Sequence, residues 1–196
     1  MRRPWSIARA LALTTLGITM SGAAGAANIH ATIDPLFALT GRGDQPFTSR
    51  DVHGRFLLIY FGYTRCPDQC PLTMATIAAA MRLLGPRAAR VQPVFITIDP
   101  RRDTVRLVDA YVRLFGNRFI GLTGSVKAIT KAESAFHVYV ETNNPNPGQI
   151  SHGSLLYVVG PSGRLRTALS GKLTAQQLAL ALSTMIGAAA SPDQVH

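Results

Sequence analysis

The stretch Phe56-Leu-Leu-Ile-Tyr-Phe-Gly-Tyr-Thr-Arg-Cys66-Pro-Asp-Gln-Cys70-Pro71 joins a short apolar, aromatic-rich run to a close pair of cysteines. The apolar run is typical of a buried strand. Pro71 suits the first position of a helix, which makes Cys70 the predicted N-cap and predicts a helix to about Leu84. The sequence therefore predicts a strand, a loop that carries two thiols, and a helix that begins at the second thiol.

Outward from this stretch, strand-like and helix-like segments alternate. Further strands are predicted at 91–98, 136–140, 154–159 and 164–168, and further helices at 104–115, 125–135 and 174–185, with a frayed tail from Gly187. The run Asn143–Gly148 is rich in Pro, Asn and Gly and predicts a loop, and Gly160–Gly163 predicts the turn of a hairpin. This alternation with a terminal hairpin indicates an α/β sandwich around a mixed sheet.

The N-terminus has the pattern of a secretory signal. Arg2, Arg3 and Arg9 precede a short apolar run, and Ala24-Gly25-Ala26 offers a small-residue cleavage site. Thr, Ser and Gly dilute the apolar window, so cleavage is favoured over a retained membrane anchor. We expect residues 1–26 to be a signal peptide or anchor, residues 27–196 to form one domain, and the protein to be exported to a bacterial periplasm, soluble or held at the inner membrane.

The charge does not indicate a nucleic-acid-binding protein. Residues 1–26 carry three arginines and no acidic residue, so their removal lowers the formal net charge from +10 to +7. The remaining basic residues are scattered and form no dense run with aromatic residues between them. A solvated basic surface that favours acidic partners or anionic lipid headgroups is the simpler interpretation.

Cys66 and Cys70 are the only cysteines among 196 residues. Their C-x3-C spacing differs from the C-x2-C of thioredoxin-type redox sites and favours metal binding. A helix N-terminus favours thiolate over thiol, and Cys70 as N-cap is expected to lie closest to it, with Arg65 adding positive charge. Because disulfides persist outside the cytoplasm, a function that needs thiolates implies a reducing partner.

Two thiolates select a soft metal such as Cu(I), zinc or an iron–sulfur cluster. Zinc and iron–sulfur sites usually need four protein ligands, whereas two sulfurs and one imidazole suffice for Cu(I). The candidate histidines are His30, His53, His137, His152 and His196. His152 is the preferred one because it lies between the predicted loop and a strong strand, at the end of the sheet where the cysteines are expected.

Four segments carry a resemblance to a known family: residues 60–71, 95–104, 119–124, and Ser151-His152 with 157–163. Over about 47–185 the chain resembles the Sco/SenC family of thioredoxin-fold copper proteins, which help to assemble the binuclear copper centre of cytochrome c oxidase. The resemblance implies a thioredoxin-like sandwich with a central mixed sheet flanked by helices. It implies copper ligands at Cys66, Cys70 and His152, with Cu(I) and also Cu(II) as the bound ion.

The chain departs from the family in three respects. Ser151 stands where the family usually has an Asp before the ligand histidine, the segment before the first central strand is shortened, and the anchor that many relatives keep is ambiguous here. None of these departures removes a ligand.

Other residues near the motif have simpler structural interpretations. Asp68, Asp99 and Asp103 suit turns or helix starts, and Tyr63 suits the strand core, with metal shielding as its alternative. Met74, Met81 and Met185 are predicted to pack in the core. His30 would complete an N-terminal Cu(II) or Ni(II) site only if cleavage fell after Ala27.

Three functions remain to be separated. The leading hypothesis is a copper chaperone, not an enzyme, which receives copper from a periplasmic copper chaperone and passes it to the copper-bearing oxidase subunit. The enzymatic alternative is a thiol–disulfide reductase that uses Cys66 and Cys70, is recharged by a thiol reductant, and keeps that subunit's copper-site cysteines reduced. A peroxidase of the peroxiredoxin type has no support beyond the shared fold.

Overall fold

A computed structural model of the protein describes residues 36–52, 54–141 and 149–190. Its strands are β1 (Ala38–Thr40), β2 (Pro46–Thr48), β3 (Phe56–Gly62), β4 (Val91–Thr97), β5 (Ile120–Leu122), β6 (Val140–Glu141), β7 (Ser151–His152), β8 (Leu155–Val159) and β9 (Leu165–Ser170). Its helices are α1 (Gln69–Leu83), α2 (Val105–Arg113), α3 (Val126–Phe136) and α4 (Ala175–Ala190). The signal or anchor of residues 1–26, the loop 143–148 and His30, His53 and His196 lie outside the described residues.

Five strands form the central sheet, in the order β5-β4-β3-β8-β9. β3, β4 and β5 are parallel, whereas β8 and β9 run antiparallel to their neighbours. β3 and β4 are buried along their whole length, as expected of parallel strands covered on both faces. The predicted mixed sheet of an α/β fold is confirmed.

Helices α1, α2 and α4 cover one face of the sheet. On this face the rings of Tyr60 and Phe95 lie 6.3 Å apart, and Phe95 lies 5.2 Å from Tyr111 of α2. A Cβ on Gly62, which shares the face of Tyr60, would lie 3.0 Å from Sγ of Cys70 in α1. α4 packs against α1. The first turn of α1 is therefore pressed against the end of β3.

Helix α3 covers the opposite face. Its last residue, Phe136, contacts Phe61 of β3 and Tyr157 of β8, at ring distances of 5.5 Å and 5.3 Å. Phe37, which precedes the β1–β2 hairpin, lies 6.5 Å from the same ring. Burying one such aromatic side chain stabilises the fold by about 1.5–3 kcal/mol, so this cluster fixes α3 on the sheet.

Three element boundaries differ from the sequence prediction. α1 begins at Gln69 with Asp68 at its N-cap, so Cys70 lies inside the first turn and is not the cap. Phe136 ends α3 and does not begin a strand, because its ring packs in the core; only Val140–Glu141 pair as a strand. α4 continues through Gly187 to Ala190. Among the described residues, no helix is long and apolar enough to span a bilayer.

Candidate metal centre

The direction of β8 brings the cysteines and His152 to one edge of the sheet. β3 ends at Gly62 and continues into the cysteine loop, residues 63–68. β8 runs antiparallel to β3, with Tyr60 paired to Leu156, so the chain that precedes β8 lies beside the chain that follows β3. His152, in the short β7 strand paired with β6, precedes β8 by three residues. Cys70 and His152, which are 82 positions apart in the chain, therefore meet at this edge of the sheet.

Cys70 Sγ and His152 Nε2 lie close together here, and Cys66 Sγ lies beside them. Cys70 Sγ lies 3.5 Å from His152 Nε2, and the Cys70 backbone N–H donates to Cys66 Sγ over 3.4 Å. Cys70 is fully buried, whereas Cys66 and His152 are half-buried. Within the described part of the chain, no three His, Cys, Asp or Glu side chains are already gathered closely enough to enclose a metal ion.

The two thiols have opposite acidities. Burial raises the pKa of Cys70 to about 12, and the adjacent Cys66 side chain adds to the increase. Burial also opposes ionisation of Cys66, but the N–H groups of Asp68 and Cys70, the Cys70 thiol and the Tyr63 hydroxyl outweigh it and hold the pKa of Cys66 below its ordinary value. Cys70 was expected to lie closest to the helix N-terminus, but the amides of Asp68 and Cys70 at the start of α1 donate to Cys66 instead.

His152 presents its Nε2 lone pair to Cys70. Its Nδ1 lies 2.9 Å from the carbonyl of Gly153, and since a carbonyl can only accept, Nδ1 carries the proton. Burial lowers the pKa of His152, although the Gly153 carbonyl works in the opposite direction, so the ring is neutral at pH 7. A neutral imidazole with a fixed tautomer and a free Nε2 is the form that ligates metals.

Two tyrosines enclose the imidazole of His152. Tyr63 meets it edge-on and Tyr60 at a tilt, each with ring centroids 6.1 Å away. The Tyr63 hydroxyl also accepts a hydrogen bond from the Ile150 backbone N–H over 3.4 Å. Tyr63 is buried, as predicted, but it also fixes the segment that carries His152. Burial, followed by the proximity of Cys70, raises the pKa of Tyr60, so both rings are neutral walls of the site.

Asp103 fastens the cysteine loop to the sheet, a role that the sequence did not predict. Its buried carboxylate accepts hydrogen bonds from the Thr64 backbone N–H (2.9 Å), the Thr64 hydroxyl (2.5 Å) and the Thr97 hydroxyl (2.6 Å). The helix-start role falls to Thr104, whose hydroxyl caps α2. The only signal in the sequence was an acidic residue between a buried strand and a helix cap.

The other candidates that the structure describes lie outside the group of donor atoms. Met74 and Met81 are buried in the core and Met185 packs against it, which confirms their prediction as packing residues. His137 is exposed at the C-terminus of α3. Asp99 is paired with Arg102 beside its turn, and Ser151 pairs with Glu141 between β7 and β6.

Comparison with known proteins assigns the family. The family model described as SCO1/SenC matches residues 25–187. The chain belongs to the SCO1/SenC family. Copper-bound ScoI of Bradyrhizobium japonicum is 31% identical with a TM-score of 0.68, covering 76% of this chain and 96% of that one. Copper-bound ScoI of Arabidopsis thaliana is 29% identical with a TM-score of 0.73, covering 78% and 96%. The predicted family and thioredoxin-like fold are confirmed.

Curated relatives of this SCO1/SenC chain include longer proteins. The mitochondrial SCO2 homologue of Danio rerio is 38% identical over 133 residues, which are 65% of this chain and 47% of that protein. A SCO2-like protein of Rickettsia felis is 34% identical over 148 residues, 72% of each chain. The match therefore spans about half the length of the Danio relative.

Proposed function

We propose that this protein binds one copper ion through Cys66, Cys70 and His152 and delivers it to the binuclear copper centre of cytochrome c oxidase. The observation that carries the proposal is the 3.5 Å approach of Cys70 Sγ to His152 Nε2, with Cys66 Sγ held against the Cys70 amide. Two sulfurs and a neutral imidazole form a soft donor set suited to Cu(I). The copper-bound ScoI structures support the choice of ion.

Unequal exposure of the three donors suggests how copper leaves. Cys66 is half-exposed, and Cys70 is buried behind it. A thiolate of the recipient can reach the metal from the side of Cys66, so Cys66 is the first ligand exchanged, and Cys70 and His152 hold the ion until a second recipient ligand arrives. The ion keeps its oxidation state in this exchange, and each thiolate released can take a proton from water.

The alternative function is thiol–disulfide reduction, and the unequal acidity of the thiols favours it as a second activity. The Cys66 thiolate would attack one sulfur of a target disulfide, forming a mixed disulfide and releasing the other target sulfur as thiolate. Cys70, giving its proton to His152 Nε2, would then attack Cys66 Sγ and release the second target sulfur as thiolate, which takes the proton back from His152. The target gains two electrons, and the Cys66–Cys70 pair is oxidised.

Partners and location follow from the same proposal. The recipient is the copper-bearing subunit of the oxidase, copper arrives from a periplasmic copper chaperone, and a thiol reductant keeps Cys66 and Cys70 reduced. Residues 1–26 direct export and are either cleaved or kept as an inner-membrane anchor.

Anaerobic competition for Cu(I) against a chromophoric chelator tests the site. Reduced wild-type protein is compared with Cys66→Ala, His152→Ala and, as a matched control, His137→Asn, an exposed histidine at a positive φ that Asn tolerates. We expect one tightly bound ion, loss of roughly 100-fold or more in affinity in the first two variants, and no change in the control. Binding that ignores His152 would refute the three-ligand site.

A second assay separates the two functions. Reduced protein is mixed with a peptide carrying an intramolecular disulfide between two cysteines, and release of peptide thiol is followed with copper absent. Chaperone activity alone predicts negligible reduction by wild-type protein. Stoichiometric reduction that is lost in Cys66→Ser and stops at a mixed disulfide in Cys70→Ser would establish the reductase activity.

A further inference from the structure

An open cavity of about 500 Å³ lies at the edge of the sheet opposite the cysteines. Arg55, Val91 and Gln92 line it where β3 and β4 begin, whereas the metal centre lies where β3 ends. Seven-residue strands at about 3.3 Å per residue put roughly 20 Å between the two places. The cavity is therefore separate from the copper site.

Three arginines, Arg42, Arg55 and Arg118, line the cavity. Among the described residues one carboxylate, Asp109, shares this lining, so the described wall carries a net charge of about +2. Arg42 Nε contacts Asp109 Oδ1 at 2.8 Å, while Arg113 occupies the other carboxylate oxygen at 3.1 Å. Within residues 36–52, 54–141 and 149–190, the Arg118 guanidinium makes no ion pair or hydrogen bond. The wall thus has cationic donors in excess of its acceptors.

Arg55 is held in place by a buried amide. Gln92, 7% exposed, donates from Nε2 to the backbone carbonyls of Arg118 (2.5 Å) and Pro93 (3.1 Å). These bonds orient Oε1, which accepts from Arg55 Nη1 over 2.9 Å. The interaction uses one of the five N–H donors of Arg55 and leaves the others to a ligand. A fixed guanidinium loses little conformational entropy when it binds.

Apolar side chains form the floor of the cavity. Val91 and Phe119 are buried, and Phe47 is half-buried beside them. A volume of 500 Å³ falls in the usual range of small-molecule sites, about 300–1,000 Å³. A single inorganic ion would leave this floor uncovered, so the lining suits an organic skeleton with anionic ends.

We propose that this cavity binds a small organic anion carrying two or more carboxylate or phosphate groups. Guanidinium groups recognise both kinds of oxyanion through paired hydrogen bonds. Because three arginines from separate segments line one cavity, a ligand with charges at more than one point can use more than one of them. The site does not depend on copper and stands whether or not the copper proposal does.

Titration of the full chain by heteronuclear NMR tests the proposal. Citrate is the carboxylate probe, fructose 1,6-bisphosphate is the phosphate probe, and sodium chloride at matched ionic strength is the blank. We expect saturable shifts of the amides of Asn117 and Gly121 with at least one organic probe. Whichever probe binds more tightly identifies the anionic group.

Arg118→Gln is the decisive variant, because Arg118 is exposed and its side chain makes no ion pair or hydrogen bond among the described residues whose loss would destabilise the fold. Arg55→Gln supplements it, and Arg164→Gln, in the β8–β9 turn, removes the same charge elsewhere. We expect the dissociation constant to rise at least tenfold in Arg118→Gln and in Arg55→Gln. It should stay unchanged in Arg164→Gln. The proposed site would be overturned if the shifts did not saturate or if sodium chloride reproduced them. It would also be overturned if Arg164→Gln weakened binding as much as Arg118→Gln does.

Discussion

At the scale of single residues, the two thiols should differ in reactivity. We expect Cys70→Ser, which keeps Cys66, to react with iodoacetamide at pH 7.5 at least about tenfold faster than Cys66→Ser, because the thiolate is the reactive form. The pKa of Cys66 is held low by amide donors, whereas burial raises that of Cys70 to about 12. At each pH from 6 to 9 the rate for Cys66 should exceed that for Cys70, and the rate for Cys70 should still be rising at pH 9. Mass spectrometry follows both.

Denaturant supplies the control for this comparison. In 6 M guanidinium chloride both single-cysteine variants should react at one rate with one pH profile, because the difference comes from the fold. Equal rates in the native proteins, or faster reaction of Cys70, would contradict the assignment of Cys66 as the acidic thiol.

Asp103→Asn tests the anchor of the cysteine loop. The buried carboxylate accepts from three donors on Thr64 and Thr97, and an amide turns an N–H group toward one of them. Hydrogen bonds to a charged group contribute about 1.5–3 kcal/mol, so we expect the free energy of unfolding to fall by about 2 kcal/mol or more in urea titrations. Alkylation of Cys70 in the native protein should also accelerate as the loop loosens.

Asp44→Asn is the matched control, since Asp44 is exposed and its positive φ of 58° suits Asn. It should change the unfolding free energy by less than about 0.5 kcal/mol. Equal stability of the two variants would remove Asp103 as the anchor.

Some of this site was predictable residue by residue, and some was not. The spacing of Cys66 and Cys70 and the position of His152 before a strand indicated, and the family resemblance then implied, the three residues whose donor atoms lie at one edge. Which sulfur receives the amide N–H groups depends on where α1 begins, two residues earlier than predicted, with Asp68 and not Cys70 as its N-cap. The role of Asp103 depends on a contact with Thr64, 39 residues away, which local patterns do not reveal.

At the scale of elements, the junction of β3 and α1 has no room for another atom. A Cβ on Gly62 would lie 3.0 Å from Cys70 Sγ and 3.0 Å from Phe95 Cε2. Gly62→Ala must displace Cys70, and overpacking of this kind costs about 1–3 kcal/mol. We expect that loss in urea titrations, together with weaker Cu(I) binding in chelator competition.

Gly187→Ala is the matched control, and we expect it to raise the free energy of unfolding. A Cβ there has no neighbour within 4 Å, and Gly187 lies inside α4, so alanine should add about 0.5–1 kcal/mol. Cu(I) affinity should be that of wild type. A Gly62→Ala protein with wild-type stability and affinity would show that the junction is looser than these distances require.

The elements with the strongest local signals were predicted best. β3 is a continuous apolar run, β4 is buried along its whole length, and the helix predicted from residue 104 is α2, capped by Thr104. The prediction failed at Phe136, where an aromatic and β-branched stretch favours a strand but packing against Phe61 and Tyr157 keeps the residue in α3. It failed again at Gly187, where the apolar face of α4 outweighs the cost of one glycine.

At the scale of the whole molecule, the strand directions of the mixed sheet determine which distant segments of the chain lie next to each other. Because β8 reverses direction beside β3, the histidine segment and the cysteine loop share one edge, and the arginine-lined cavity lies at the other. The sequence predicted the mixed sheet from its alternation and hairpin. It did not predict the cavity, because Arg42, Arg55 and Arg118 come from three distant segments and form no run.

Copper should therefore connect parts of the chain that are remote in sequence. Its binding should raise the stability of the whole domain. An ion that binds the folded but not the unfolded chain adds about 2.7 kcal/mol of stability at a free concentration 100 times its dissociation constant. For a domain of this size, each kcal/mol raises the melting temperature by about 2–4 °C, so we expect an increase of about 5–11 °C for reduced wild-type protein with buffered Cu(I).

His137→Asn should show the same increase. In His152→Ala at that free copper concentration the increase should nearly vanish, because the remaining two thiols are only four residues apart in the chain and a metal held by them does not tie the segment before β8 to the rest of the fold. Calorimetry under argon measures the shift, and an equal increase in His152→Ala would mean that copper is held by the cysteines alone.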